Sequence, residues 1–201
     1  MRYYGGMTQD WKTYLNQLEY LAHRDYEKNS EALEFLVQSI IECASSENGV
    51  VFTAGNGGSA TTADHFAADL SLSKKRYGKP IRSICLNSHL GLNSALSNDL
   101  GYEFALESQL ENFGGTSHIV VIFSASGNSS NLIKLINSAV SRELQCWAIL
   151  GFNGGEIAKI KKIKHIIFLD KESNYGLTEN IHLAASHFVI ERLASEFGFS
   201  K

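Results

Sequence analysis

Proline is almost absent: Pro80 stands alone in 201 residues. No low-complexity stretch reads as a linker either, so the chain is expected to form one domain over 1–201. Cysteine is equally sparse. Cys43, Cys85 and Cys146 lie far apart, each inside an apolar run, which excludes a disulfide scaffold or a zinc knuckle. Buried thiols in a reducing compartment are expected instead. Charge is low too, with 19% of residues charged and a net charge of −3. The longest basic cluster, Lys74-Lys75-Arg76, reads as a solvated face, so neither nucleic acid nor an anionic membrane is an expected partner. No apolar run reaches the roughly 18–20 residues of a membrane span, and the opening MRYYGGMTQDW lacks a signal-peptide core. A soluble, cytoplasmic protein is expected.

What the chain has is a change of rhythm. Residues 8–23 carry Trp11, Leu15, Leu18 and Leu21 at helical steps, and a second amphipathic helix follows Ser30. Trp11, Tyr14, Leu18 and Leu21 form a stripe that one small domain would struggle to cover, so the helices of 8–47 are expected to serve oligomerisation. After them, short β-branched runs at 50–54, 81–86, 118–124, 146–151 and 164–169 alternate with helices. The helices are expected at 58–70, 89–96, 101–112, 129–142, 154–161 and 178–196. Continuous apolar strands between helices predict an α/β fold: a three-layer, doubly wound parallel sheet with an N-terminal helical extension. Ligands then sit beyond the carboxyl ends of the strands.

Two of the loops that follow strands are unusual. Gly55-Asn56-Gly57-Gly58-Ser59 opens one helix, and Ser124-Ala125-Ser126-Gly127-Asn128-Ser129-Ser130 opens another. Glycine lets a ligand approach the backbone, and free N–H groups at a helix start favour a phosphate. Hydroxyls of Ser124, Ser126 and Ser129 add donors. Neither loop is a Walker loop or a GxGxxG dinucleotide turn. A monophosphate at one loop, with a polar chain reaching towards the other, fits best.

GNGGSA, DHFAADL, SASGNSS and the late ENIHLAASH together resemble the SIS (sugar isomerase) domain, in particular its phosphoheptose isomerase branch, over residues 10–196. That resemblance implies a single SIS domain acting on a sugar phosphate. The reaction it implies is the interconversion of sedoheptulose 7-phosphate and D-glycero-D-manno-heptose 7-phosphate through an enediolate, for surface polysaccharide. It also implies a homotetramer with a site shared between subunits. The family's metal-binding or catalytic positions fall on His65, Asp69, Glu179 and His187, with Asp69, Glu179 and His187 as the catalytic candidates. Its substrate contacts fall on Asn56, Gly57, Gly58, Asn98, Asp99, Ser124, Ala125, Ser126, Ser129 and Glu179.

The residue types suit that chemistry. His65 and Asp69 share a helix face, about 40° apart, and Glu179 and His187 lie about 80° apart on the last helix, able to line one cleft. Two histidines and two carboxylates make a nitrogen–oxygen set for a divalent ion, with Zn²⁺ expected. Two positions depart from the better-known isomerases: Asp69 replaces a glutamate and Glu179 a glutamine. The first shortens an arm by about 1.5 Å, and the second supplies a new carboxylate that could take over as base. These departures also leave open a second reading, a non-catalytic SIS protein that binds a sugar phosphate or a protein partner such as a replication initiator. His182 reads as packing or a hydrogen-bonded partner rather than a ligand, and Phe104, Phe113, Phe168 and Phe188 as core.

Overall fold

The computed structural model describes residues 10–24, 26–113, 115–168 and 174–198; residues 8, 9 and 169, expected in the first helix and the last strand, lie outside them. Helix α1 (Trp11–His23) starts at Asp10, whose carboxylate accepts from the Thr13 amide at 2.8 Å. Helix α2 spans Tyr26–Ser45, beginning before Ser30, where the sequence suggested a start. The reason is tertiary. Asn29 is buried and its Nδ2 donates to the Ile167 carbonyl at 3.2 Å, so a polar residue that looks like helix punctuation anchors the helix to the sheet.

Five parallel strands follow: β1 (Val51–Ala54), β2 (Ser83–Cys85), β3 (Ile119–Ser124), β4 (Gln145–Leu150) and β5 (Lys164–Ile167), in the order β2-β1-β3-β4-β5. Side-chain alternation divides the core in two. Val51, Ile119, Val121, Phe123, Trp147 and Ile149 face α2, α3 (Gly58–Ser71) and α8 (Tyr175–Glu196). Phe52, Val120, Ile122, Ala148 and Leu150 face α6 (Ala105–Leu110) and α7 (Ser130–Ser141) on the other side. This is the expected three-layer sandwich. Its chain order reverses between β1 and β3, which places the switch point where the two glycine-serine loops emerge.

Several element assignments are corrected. The helix expected over 101–112 is a 3₁₀ turn (Tyr102–Phe104) followed by the short α6, because Gly101 enters with a φ of +104°. The helix expected over 154–161 shrinks to the turn Ile157–Lys159, since Gly154 and Gly155 both have positive φ. After Leu72 a five-residue helix α4 (Ser73–Tyr77) continues from α3, and α5 covers Leu90–Asp99. Phe188, expected in the core, is exposed. All three cysteines are free and buried. Among the described residues no helix is long and apolar enough to cross a membrane.

Candidate functional site

The loop after β1 is stapled from below. Gly55 donates its amide to Asn87 Oδ1 at 3.0 Å and accepts from Asn87 Nδ2 at 2.9 Å. Asn56 forms a reciprocal amide pair with the buried Asn131 of α7, both bonds 2.9 Å, and also accepts from the Tyr102 hydroxyl at 2.6 Å. The loop after β3 holds itself: the Gly127 amide donates to Ser124 Oγ at 3.0 Å and the Asn128 amide to Ser126 Oγ at 3.3 Å. Gly127 is required here, because its φ is +64° and a Cβ would collide with the Gly154 carbonyl. Ser129 caps α7 without a side-chain bond, so its hydroxyl remains available to a ligand.

Between the two loops lies a cleft of about 190 Å³, lined by Asn56, Gly57, Gly58, Ser59, Phe123, Ser124, Ala125, Ser126, Ser129, Tyr175 and Glu179. That is below the usual range for drug-sized ligands, and suits a phosphate with a short polar chain better than a dinucleotide. Eight of the sequence-derived substrate residues meet here: Asn56, Gly57, Gly58, Ser124, Ala125, Ser126, Ser129 and Glu179. Asn98 and Asp99 do not. They sit exposed on the last turn of α5, with Asn98 Nδ2 donating to Asp99 Oδ1 at 2.9 Å. Tyr175 was missed. The signal for it was Asn174, whose side chain accepts from the Leu177 amide at 3.0 Å and starts α8 one turn earlier than expected.

Glu179 faces the start of α3 so closely that a Cβ on Gly58 would strike its carboxylate. Burial pushes its carboxyl pKa above the usual glutamate value. One turn further along α8, His182 is buried between Phe123 and Phe168, with neither ring nitrogen in a well-formed hydrogen bond. Burial outweighs the pull of the Leu150 carbonyl and drives its pKa down to about 4. It is a neutral packing residue.

His65, Asp69 and His187 form a second group, their ligand atoms all within 4.8 Å of one another. His65 Nε2 stands 3.2 Å from Asp69 Oδ2 and 3.0 Å from His187 Nε2. As hydrogen bonding this is over-subscribed, because one ring nitrogen offers one hydrogen or one lone pair. As ligands around an ion it fits: donors about 2.0–2.1 Å from a tetrahedral Zn²⁺ stand about 3.3 Å apart. Glu179 is not in this set. Its eight residues of separation from His187 amount to about 12 Å along α8. Within one chain, then, the sugar-sized cleft and the candidate metal centre are neighbours rather than one cavity.

Comparison with known proteins agrees with this architecture. The SIS domain family matches residues 13–151. The phosphoheptose isomerase of Helicobacter pylori is 30% identical over 184 residues, covering 89% of this chain and 94% of that protein. The phosphoheptose isomerase of Colwellia psychrerythraea is 30% identical over 161 residues, 80% of this chain and 81% of that one. The phosphoheptose isomerase structure from Neisseria gonorrhoeae shares the fold, with a TM-score of 0.81 at 21% identity over 90% of this chain and 96% of its own. With its glycine-serine loops at the switch point of the sheet, the chain belongs to the SIS domain family and, within it, to the phosphoheptose isomerases.

Proposed function

We propose that the protein interconverts sedoheptulose 7-phosphate and D-glycero-D-manno-heptose 7-phosphate, feeding heptose into surface polysaccharide or lipopolysaccharide. The observation that carries this reading is the cleft itself, which sets four serines and two helix starts opposite one partly buried carboxylate. The phosphate tail occupies the Ser124–Ser129 loop, where amides and hydroxyls donate to it. Glu179 takes a proton from C1 of the ketose, leaving an enediolate. The same carboxyl returns a proton to C2 while the hydroxyl proton passes from O1 to O2. A carboxyl whose proton affinity burial has raised suits both halves of that exchange.

His65, Asp69 and His187 would hold a divalent cation, with Zn²⁺ the choice their nitrogen-rich set favours. Such an ion, when bound, polarises a carbonyl and stabilises enediolate charge. Because this group lies about 12 Å along α8 from Glu179, and its two histidines are exposed, a neighbouring subunit is the means of bringing the two together. Sharing needs at least a second copy; a homotetramer is the assembly we propose, with exposed Trp11 and Phe188 supplying apolar contact surface. The buried free thiols accord with a cytoplasmic enzyme.

Incubation of purified protein with sedoheptulose 7-phosphate, followed by NMR, tests the function. An equilibrium mixture with the aldose is expected. Absence of exchange with every five- to seven-carbon ketose phosphate, with and without zinc, would overturn it.

A further inference from the structure

We propose that Arg76 is the positioning residue of the His65–Asp69–His187 group: its guanidinium grips one carboxylate oxygen of Asp69 and turns the other towards the imidazoles. The proposal rests on the reading of that group as a cation site and deepens it. Arg76 Nη1 lies 2.8 Å from Asp69 Oδ1, while Asp69 Oδ2 faces His65 Nε2 at 3.2 Å. The two oxygens of one carboxylate are thus divided between a permanent cation and the candidate ligands.

The chain is built for this contact. Arg76 follows Asp69 by seven residues across the junction of α3 and α4, close to the two-turn spacing that brings side chains back to one side. Leu72 joins α3 to α4 with helical backbone, and Gly78 ends α4 in the left-handed region two residues after Arg76. The Asp69 side chain is 16% exposed and that of Arg76 43%, so the grip is applied from the solvent side. An aspartate arm is short, and its oxygen reaches an ion only from a narrow range of rotamers. Holding Oδ1 removes the alternatives. It also keeps Asp69 monodentate, which favours a four-coordinate ion over calcium or magnesium with their larger oxygen shells.

Two effects of Arg76 oppose each other. Fixing a metal-ligating carboxylate through its outer partner is worth roughly 10- to 100-fold in metal affinity. Repulsion between guanidinium and ion acts the other way. It acts inside the Debye length of about 8 Å, so salt screens it little, but across exposed side chains (His65 is 49% exposed) the dielectric of water holds it to roughly tenfold. Fixing, at the upper end of its range, leaves a net gain of about tenfold.

The test is a zinc competition titration against a chromophoric chelator at 0.15 M salt, on the full-length protein and on R76A and R76K. The expected result is zinc binding by the wild type, a loss of about tenfold or more in R76A, and recovery of most of it in R76K. Metal-free R76A should melt within a few degrees of the wild type, which separates positioning from misfolding. Unchanged or tighter zinc binding by folded R76A overturns the role of Arg76 while leaving the cation site intact. A wild type that takes up no zinc overturns the site, and this proposal with it.

Discussion

Glu179 and Asp69 are both carboxylates on the packed pair α3 and α8, yet their surroundings give them different work. Glu179 lines the cleft with no charged partner among the described residues and a raised pKa, whereas Asp69 is engaged on both oxygens by Arg76 and His65. E179Q keeps the shape and removes the base, so kcat should fall by a factor of 10² to 10⁴ with KM little changed. D69N should instead weaken zinc binding at least tenfold, and its activity should recover as zinc is added. Steady-state kinetics across a zinc series separates the two. His182 carries a stability prediction. Its folded pKa of about 4 lies below the free value of 6.5, so the neutral ring is the form the fold favours. That contribution is fully present above pH 6.5 and is lost as pH falls towards 4, on the order of 3 kcal/mol in all. Urea melts at pH 7.5 and pH 5 should show the loss in the wild type, and H182L should flatten it. Sequence alone marks His182 as packing or a hydrogen-bonded partner. It cannot reveal the depth of burial, which depends on Phe123 and Phe168 meeting over it.

The two glycine-serine loops are the elements most legible in the sequence, because a strand-to-helix turn writes its requirements locally. Glycine marks tight approach and serine marks the cap. G127A should test this: a left-handed φ and a blocked Cβ predict about 1–3 kcal/mol of destabilisation. A rise in KM for the sugar phosphate should accompany it, with kcat less affected, since the loop holds the tail rather than the reacting carbons. The start of α2 is illegible for the opposite reason. Ser30 reads locally as the start, but the preceding Asn29 already lies in the helix and donates a hydrogen bond to Ile167, 138 residues away. The same holds for 154–161, where helical periodicity competes with two glycines of positive φ and loses. Only the family resemblance assigns Asn98 and Asp99 to the substrate, and within one chain they lie at the exposed end of α5.

At the scale of the molecule, apolar strands alternating with helices suffice to foretell a parallel doubly wound sheet, and the switch between β1 and β3 follows from the chain order. Rise along α8 is what periodicity hides. Glu179 and His187 fall on related faces of the wheel, yet about 12 Å of helix separates them. The proposed sharing of the site between copies would bridge that distance, and it predicts complementation. E179Q and H187A, each inactive alone, should regain activity when unfolded and refolded together into mixed oligomers. A mixture that stays inactive while forming such oligomers would contradict sharing. The most direct measurement of the central claim is solvent exchange during turnover. In D₂O, wild-type protein with sedoheptulose 7-phosphate should incorporate deuterium at C1, visible by proton NMR, and folded E179Q should not. Exchange that persists undiminished in E179Q, or a wild type that leaves C1 fully protonated while forming no aldose, would contradict a Glu179-driven isomerisation in this cleft.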